Sequence, residues 1–321
     1  MRTIRLAMRD WAWLTPLALG EVDTTPLAQA GAELELERVQ TLPGADADGR
    51  FELAEASLSR FVLDTAAATT TRYAVPFFAM QAFRSRCVLV RRDSGSRSAG
   101  DLAGGRVGLT GWHDSGNIWT RDALRHDGLD TDGVQWRVGQ LTGGAKPYDR
   151  LGPGRDRTDV EEIEEGATLV DLLLAGDLDA VLTPFMPPQA YGPDAAIRPL
   201  YGSSAEPELA YYADRGYVPG IHILTAAPEV PVEIARAVVD VLVSSRAEWT
   251  HRRSRMLDEP ALGADTAYQQ QKRHLRPGWD AASLQMHRSM VEDFLELQVH
   301  DGIAASAPSI ETLFTKTQDW K

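Results

Sequence analysis

The sequence lacks the features that mark several classes of protein. It has one cysteine, Cys87, so no disulfide can form within the chain. A lone thiol in an apolar run is typical of a buried core residue rather than of a nucleophile. No apolar run approaches the roughly 20 residues that span a membrane. The first residues also lack the apolar stretch and cleavage site of a secretion signal, so we expect a cytoplasmic protein.

Positive charge is also scarce. The chain carries 33 Lys and Arg residues against 46 Asp and Glu residues, which gives a net charge of −13. Nucleic acids and anionic membranes recruit basic surfaces, so we expect neither as a partner. The composition leaves open both a locally positive pocket for a small anion and a homo-oligomer.

Local signatures of metal and cofactor chemistry are missing as well. The sequence has no His-x-x-x-His or paired-cysteine spacing, no glycine-rich nucleotide-binding pattern and no Gly-x-Ser-x-Gly turn. We therefore predict no metal site.

What is present is an alternation of short apolar segments with amphipathic ones. Strand patterns occupy 3–7, 33–40, 86–92, 106–109, 134–138, 179–183, 197–200 and 221–226. Helix patterns occupy 168–174, which we expect Gly176 to end, 283–299 and the residues after Pro231. This alternation predicts an α/β fold, with mostly parallel sheets flanked by helices. Two further segments are a strand over Tyr73–Phe78 that ends in a turn at its proline, and an acidic helix start at Asp159–Glu165.

Connectors divide the predicted elements into two lobes. A Ser/Gly-rich connector lies at 93–104 and the chain returns near 215–220. We therefore predict one lobe from 1–92 plus 219–321 and a second from 93–218. A ligand cleft between the lobes is expected, because strand ends and helix N-termini line such clefts in α/β proteins.

The stretch from Gly105 to Arg121 is the clearest candidate for ligand binding. It predicts a strand at Arg106–Leu109, a glycine turn, and a helix that opens near Ser115, Gly116 and Asn117. Free N–H groups and the positive dipole end of a helix favour anions, so this turn could hold a carboxylate or phosphate. Plain N-capping, by Ser115 or by Asp114, would use the same atoms.

Several segments, taken in order, resemble one known family. They are FELAEASLSRFVL, YAVPFFAMQAFRSRCVLVRRDSG, DLAGGRVGLTGWHDSGNIWTRDAL, ATLVDLLLAGDLDAVLTP and ELAYYADRGYVPGIHILTA. Together, over roughly residues 50–227, they resemble the 4,5-dihydroxyphthalate decarboxylase family, whose members have a two-lobed type II periplasmic-binding-protein fold. The resemblance implies a cofactor-independent decarboxylase that acts on a hydroxylated aromatic or heteroaromatic carboxylic acid. A solute-binding protein without catalysis is the alternative.

The resemblance also carries over a set of site residues. They are Glu55, Ser57, Arg84, Ser115, Trp119, Arg121, Tyr212 and His222. His222 is the candidate acid, because histidine titrates near neutral pH, and its alternative is a core-edge histidine bound to a backbone carbonyl. Glu55 could orient a histidine or accept a ring hydroxyl, and its alternative is an exposed helix residue. Ser57 could donate to the ligand or cap a helix.

Other side chains add candidate contacts for an aromatic acid. Arg84 suits bidentate binding of a carboxylate, and its alternative is a structural ion pair. Trp112, Trp119 and Phe78 could sandwich an aromatic ring, although Trp119 suits a core position equally well. His113 is a candidate second acid or base, and its alternative is a solvent-facing loop residue.

Three single positions and one turn depart from the family pattern. Gln81 stands where the family usually has an arginine, Ser85 stands where it has a histidine, and Asn117 replaces an alanine. The turn Trp112-His113-Asp114 replaces a Tyr-Gln-Met sequence. If the missing arginine holds a second carboxylate in the family, the substrate of this chain lacks that group.

Overall fold

The strand-forming segments assemble into two separate sheets, which belong to two units of the chain. A computed structural model describes residues 1–43, 47, 49–144, 148–257 and 273–320. Unit 1 comprises Met1–Gln81, Gly220–Val291 and Pro308–Lys321, and unit 2 comprises Ala82–Pro219 and Glu292–Ala307. Among the described residues, no helix combines the length and apolar character needed to cross a membrane.

The described residues form the following regular elements. The strands are β1 (Arg2–Arg9), β2 (Ala32–Val39), β3 (Leu53–Ser57), β4 (Tyr73–Gln81), β5 (Val88–Arg91), β6 (Arg106–Leu109), β7 (Gln135–Val138), β8 (Val160–Glu162), β9 (Ala180–Leu182), β10 (Ile197–Pro199) and β11 (Gly220–Ala226). The helices are α1 (Thr15–Ala18), α2 (Thr25–Gln29), α3 (Leu58–Ala66), α4 (Ser115–His126), α5 (Leu169–Ala175), α6 (Glu206–Arg215), α7 (Val232–Leu257), α8 (Leu284–His300) and α9 (Ile310–Leu313).

The sheet of unit 1 has the strand order β2-β1-β3-β11-β4. β1 is parallel to β2 and β3, whereas β11 is antiparallel to both β3 and β4. Its core joins strand residues such as Leu6 and Leu224 to Val238 and Leu242 of α7. Burying each such side chain stabilises the unit by about 1.5–3 kcal/mol. This core makes β3 and β11 rigid neighbours.

The proline in β4 does not end the strand, so the predicted end of Tyr73–Phe78 in a proline turn is wrong. β4 continues from Tyr73 to Gln81 with Pro76 inside it. Proline cannot donate to a neighbouring strand, but β4 lies at the edge of the sheet and pairs on one side alone. An edge position therefore accommodates it.

The sheet of unit 2 has the order β10-β5-β9-β6-β7-β8. β9, β6, β7 and β8 run parallel, and β5 is antiparallel to β9 and β10. Residues 82–92 and 292–307, which we assigned to the first lobe, belong to unit 2. For β5 the reason is its pairing with β9 and β10, which a boundary drawn from composition does not reveal.

The acidic segment Asp159–Glu165 does not begin a helix. Val160–Glu162 forms β8, in which Val160 is buried while Glu161 and Glu162 are exposed. β8 is an edge strand, and charged side chains at an edge discourage further pairing. In contrast, the predicted end of α5 at Gly176 is confirmed, since that residue has a φ of +84°.

Candidate active site

Glu55 and His222 form a buried pair in unit 1. β3 and β11 are antiparallel neighbours, with His222 opposite Ser57 and Leu224 opposite Glu55. Residues two apart on a strand share a face, so this register puts both side chains on one face of the sheet. Nδ1 of His222 lies 2.5 Å from Oε1 of Glu55. Glu55 is fully buried and His222 is 9% exposed, which excludes the exposed-helix alternative for Glu55.

The backbone around His222 is irregular. The pairing of β11 with β4 shifts register between Gly220 and His222 and again on both sides of Ile223. Such bulges redirect side chains and are frequent next to active sites. Gly220 is required there, because an added Cβ would lie 2.8 Å from both Phe78 and Met290.

Two further donors hold Glu55. The backbone N–H of Arg9 and the indole N–H of Trp11 donate to Oε2 at 2.9 and 2.8 Å. A buried carboxylate is costly unless it is hydrogen-bonded, and these contacts, with His222, satisfy both of its oxygens. Sequence reasoning missed Trp11, because a tryptophan after an apolar strand is typical of core packing.

The pairing assigns different tasks to the two imidazole nitrogens. Nδ1 faces the Glu55 carboxylate and therefore carries a proton. Nε2 has no hydrogen-bond partner among the residues that the structure describes. His222 can thus give or take a proton at Nε2 while Glu55 fixes the orientation of the ring, which is the arrangement that general acid–base catalysis requires.

The remaining candidates in unit 1 have structural contacts. Ser57 caps α3, because its Oγ accepts from the backbone N–H of Arg60 at 3.5 Å. Phe78 is buried, and its ring meets His287 edge-on at 5.0 Å between centroids. Burial lowers the pKa of His287 to about 4. The expected stacking of Phe78 on a substrate ring is therefore wrong, since its ring is already covered.

In unit 2, the turn before α4 is held by its own side chains. Oδ2 of Asp114 accepts from the hydroxyl of Thr110 at 2.9 Å. The amide nitrogen of Asn117 donates to Oγ1 of Thr110 and to the carbonyl of Gly111. The N–H groups of the Asn117 side chain thus shape the turn, and ligand binding by this residue stays a prediction. Carboxylate binding at Ser115, a buried residue that opens α4, stays a prediction.

The buried side chain of Arg84 makes hydrogen bonds to α4, the same helix. It donates to the carbonyl of Gly116, to Oγ1 of Thr120 and to the carbonyl of Thr183, at 3.1–3.2 Å. An added Cβ at Gly116 would lie 2.8 Å from Nη2 of Arg84, so glycine permits this approach. In the described part of the chain, the partners of this buried guanidinium are neutral oxygens of the protein, so the ion-pair alternative is wrong, and carboxylate binding by Arg84 stays a prediction. Ligand binding at Gly116 stays a prediction.

Arg121 and Trp112 have structural rather than ligand-binding positions. Arg121 is 1% exposed and pairs with Asp301 at 2.7 Å, and its guanidinium lies 4.0 Å from the centre of the Trp112 ring. The indole of Trp112 donates to the carbonyl of Asp301. Burial alone would raise the pKa of Asp301, but Arg121 and Arg125 lower it. Their predicted contacts with substrate are therefore wrong.

This buried ion pair predicts a large effect on stability. Asp301→Asn leaves Arg121 and Arg125 without their carboxylate, and uncompensated buried charge costs about 3–5 kcal/mol. We expect that loss in the free energy of unfolding of unit 2, measured by urea and tryptophan fluorescence. Asp93→Asn is the control, because Asp93 forms an exposed pair with Arg91 and should cost less than about 1 kcal/mol. Equal midpoints for the two variants would contradict a structural role for Arg121.

Three candidates remain in unit 2. Trp119 packs between Phe294 and Tyr217, at 5.2 and 5.9 Å between ring centroids, so its core alternative is correct. Tyr212 is half-buried and meets Phe83 edge-on. His113 is buried, not solvent-facing, and an added Cβ at Gly152 would lie 2.6 Å from its Nδ1. The functional roles of Tyr212 and His113 stay predictions.

Metal and thiol chemistry find little support in the described part of the chain. No group of three or more His, Cys, Asp or Glu side chains that could hold a metal ion occurs there. Burial raises the pKa of the Cys87 thiol, which suits a core residue.

Comparison with known proteins decides the family. The chain is 32% identical over 189 residues to a 4,5-dihydroxyphthalate decarboxylase of Pseudomonas putida, and the match covers 57% of this chain and 71% of that relative. The chain belongs to the 4,5-dihydroxyphthalate decarboxylase family. A family member from Comamonas testosteroni is 29% identical over 188 residues, and the match covers 54% of this chain and 53% of that protein. The chain thus spans about half the length of this second relative.

The likeness to a solved structure bears on the fold alone. The periplasmic aliphatic sulphonate binding protein SsuA of Escherichia coli matches with a TM-score of 0.54 at 15% identity, over 97% of this chain and 91% of that protein. This likeness confirms the predicted α/β periplasmic-binding-protein-like fold. No protein-family model matches the chain.

Proposed function

We propose that the protein is a cofactor-independent decarboxylase that acts on a hydroxylated aromatic or heteroaromatic carboxylic acid. The observation that carries this proposal is the buried Glu55–His222 pair, in a chain whose curated relatives bear the name decarboxylase. A protein that only binds a solute has no need of a carboxylate that orients a histidine.

The chemistry requires a proton at the carbon that loses CO2. In the proposed reaction, ring hydroxyls push electron density toward that carbon, and protonated His222 transfers the Nε2 proton to it. The carbon–carbon bond then breaks, its electron pair restores the aromatic ring, and CO2 leaves. The Nδ1 proton stays on His222, hydrogen-bonded to Glu55, throughout the reaction. Nε2 takes a proton from water to complete the cycle. General acid catalysis of this kind contributes about 10²–10⁴-fold.

The position of Gln81 supports a narrower substrate class. Gln81 pairs with Gly220, and the adjacent Met80 pairs with His222, so position 81 lies at the end of β4 next to the proposed acid. An arginine of the family is missing there, and with it a partner for a second carboxylate. We therefore infer that monocarboxylic acids are better substrates than phthalates.

A panel of hydroxylated benzoates, phthalates and heteroaromatic carboxylates tests the proposal, with CO2 release as the readout. We expect release from at least one hydroxylated monocarboxylic acid, undiminished after treatment with a chelator. Tight binding of an acid without any CO2 would overturn the proposal and favour the solute-binding alternative. Faster turnover of phthalates would contradict the inference from Gln81.

A further inference from the structure

We propose that Trp11 is a positioning residue that fixes the proton-bearing state of the Glu55–His222 pair. Its indole N–H, together with the backbone N–H of Arg9, holds Oε2 of Glu55 and so dictates which nitrogen of His222 carries the exchangeable proton. The catalytic consequence rests on the proposed function, whereas the effect on His222 is a property of unit 1 alone.

Both partners that hold Oε2 of Glu55 from the β1 side are N–H groups. An indole N–H and a backbone N–H can donate but cannot accept. Oε2 therefore carries no proton, because a carboxyl O–H at that position would find no acceptor. The mobile proton of the pair must lie on the other side, between Oε1 of Glu55 and Nδ1 of His222.

The same two donors determine which side of the pair holds that proton. Hydrogen bonds from Trp11 and Arg9 stabilise Glu55 as a carboxylate, since bonds to a charged acceptor are stronger than bonds to a neutral one. A stabilised carboxylate leaves the proton on Nδ1. If the indole bond is removed, the Nδ1 proton transfers more readily to Oε1 of Glu55 and Nε2 takes up a proton from water. Nδ1 is then an acceptor, and neutral His222 carries its proton at Nε2.

Trp11 lies beside both members of the pair. The centres of the Trp11 and His222 rings are 6.1 Å apart with the ring planes tilted by 55°, and the indole N–H donates to Glu55. The guanidinium of Arg9 lies 5.4 Å from the Trp11 ring, at a distance suited to a cation–π contact. Trp11 follows β1, whose neighbour in the sheet is β3, so the backbone fixes its distance from Glu55.

Trp13 offers a matched control. It lies two residues away, is half-buried like Trp11, and packs on Phe77 and Arg246. Its indole N–H has no hydrogen-bond partner among the described residues. Trp11→Phe and Trp13→Phe therefore make the same chemical change, and the first of them alone removes a donor to Glu55.

The first readout needs no substrate. In a ¹H–¹⁵N spectrum of histidine-labelled protein at neutral pH, we expect wild type and Trp13→Phe to hold His222 with its proton on Nδ1. Trp11→Phe shifts a measurable fraction to Nε2. With substrate, Trp11→Phe lowers kcat on the order of tenfold with little change in KM, since a bond to a charged group is worth about that factor.

A second measurement uses the wild-type protein and therefore does not depend on whether the variant folds. The indole N–H of Trp11 should exchange with D2O more slowly than that of Trp13. Equal exchange rates, or a Trp11→Phe protein with the wild-type His222 signal, would overturn the proposal. Altered His222 signals in a protein that releases no CO2 from any acid would instead leave the positioning role standing and overturn the proposed function.

Discussion

His222→Asn is expected to lower kcat for CO2 release by about 10²–10⁴-fold, the usual contribution of a general acid. The amide nitrogen of asparagine can occupy the position of Nδ1 and keep the bond to Glu55. What the variant loses is Nε2, the atom that donates the proton to the substrate in the proposed reaction. Folding and binding of the substrate should therefore survive while turnover fails.

The matched control for this variant is His251→Asn. His251 is an exposed residue of α7 in the same unit, and the same substitution there should leave kcat unchanged. Thermal unfolding and calorimetric binding of the acid report whether His222→Asn remains folded and competent to bind. A kcat within a few-fold of wild type would remove His222 from the mechanism.

Glu55→Gln is expected to lower kcat by about a hundredfold or more through its effect on His222. Trp11 and Arg9 donate to one oxygen of Glu55, so the glutamine carbonyl must take that position. Its NH2 group then points at Nδ1, which has to accept rather than donate. His222 can no longer be doubly protonated without placing two donors against each other. Its single proton then lies on Nε2 of a neutral ring, which is a far weaker acid than the cationic ring of the wild type.

Glu52→Gln is the control for this second variant. Glu52 lies three residues earlier in the chain and accepts from the backbone and side chain of Arg5 at the surface of unit 1. The substitution there breaks an exposed ion pair, which is worth at most about 1 kcal/mol, and should leave kcat unchanged. If Glu55→Gln also retains wild-type activity, the carboxylate has no part in catalysis.

Local pattern in the sequence was sufficient to predict most strands. The segment Arg106–Leu109 is a strand over the predicted residues, and Gly176 ends α5 as expected. These features depend on side-chain alternation and on the freedom of glycine at positive φ, which a sequence displays directly. The end of β4 and the structure of β8 were mispredicted, and β3, the central strand that holds Glu55, was not predicted as a strand. A proline or a run of glutamates is acceptable at an edge, and sheet order cannot be read from local pattern.

The candidate site was predictable in its residue types but not in its contacts. Glu55 and His222 were each singled out, yet they are 167 residues apart and meet through the register of β3 and β11. Trp11 escaped notice for the same reason, since its partner lies 44 residues further along the chain. Only the assembled sheet brings these three side chains together.

The wrong predictions share a physical cause. Arg121 and Trp112 have the chemistry to bind an aromatic acid, but Asp301 binds both of them. Its carboxylate pairs with the Arg121 guanidinium, and its backbone carbonyl accepts the Trp112 indole N–H. In the described part of the chain, Arg84 donates to carbonyl and hydroxyl oxygens of unit 2 rather than to the carboxylate of an ion pair. Residue type indicates what a side chain can bind, whereas distant partners in the fold determine whether it is available.

We propose that His222, oriented by Glu55, protonates the carbon from which CO2 departs. The most direct measurement is the rate of ¹³CO2 release from a carboxyl-labelled substrate in H2O and in D2O, for wild type and His222→Asn. We expect the wild type to release ¹³CO2 more slowly in D2O and to leave deuterium at the vacated carbon of the product. We expect negligible release by His222→Asn in either solvent. Equal rates in the two solvents, with His222→Asn as fast as wild type, would contradict this proposal.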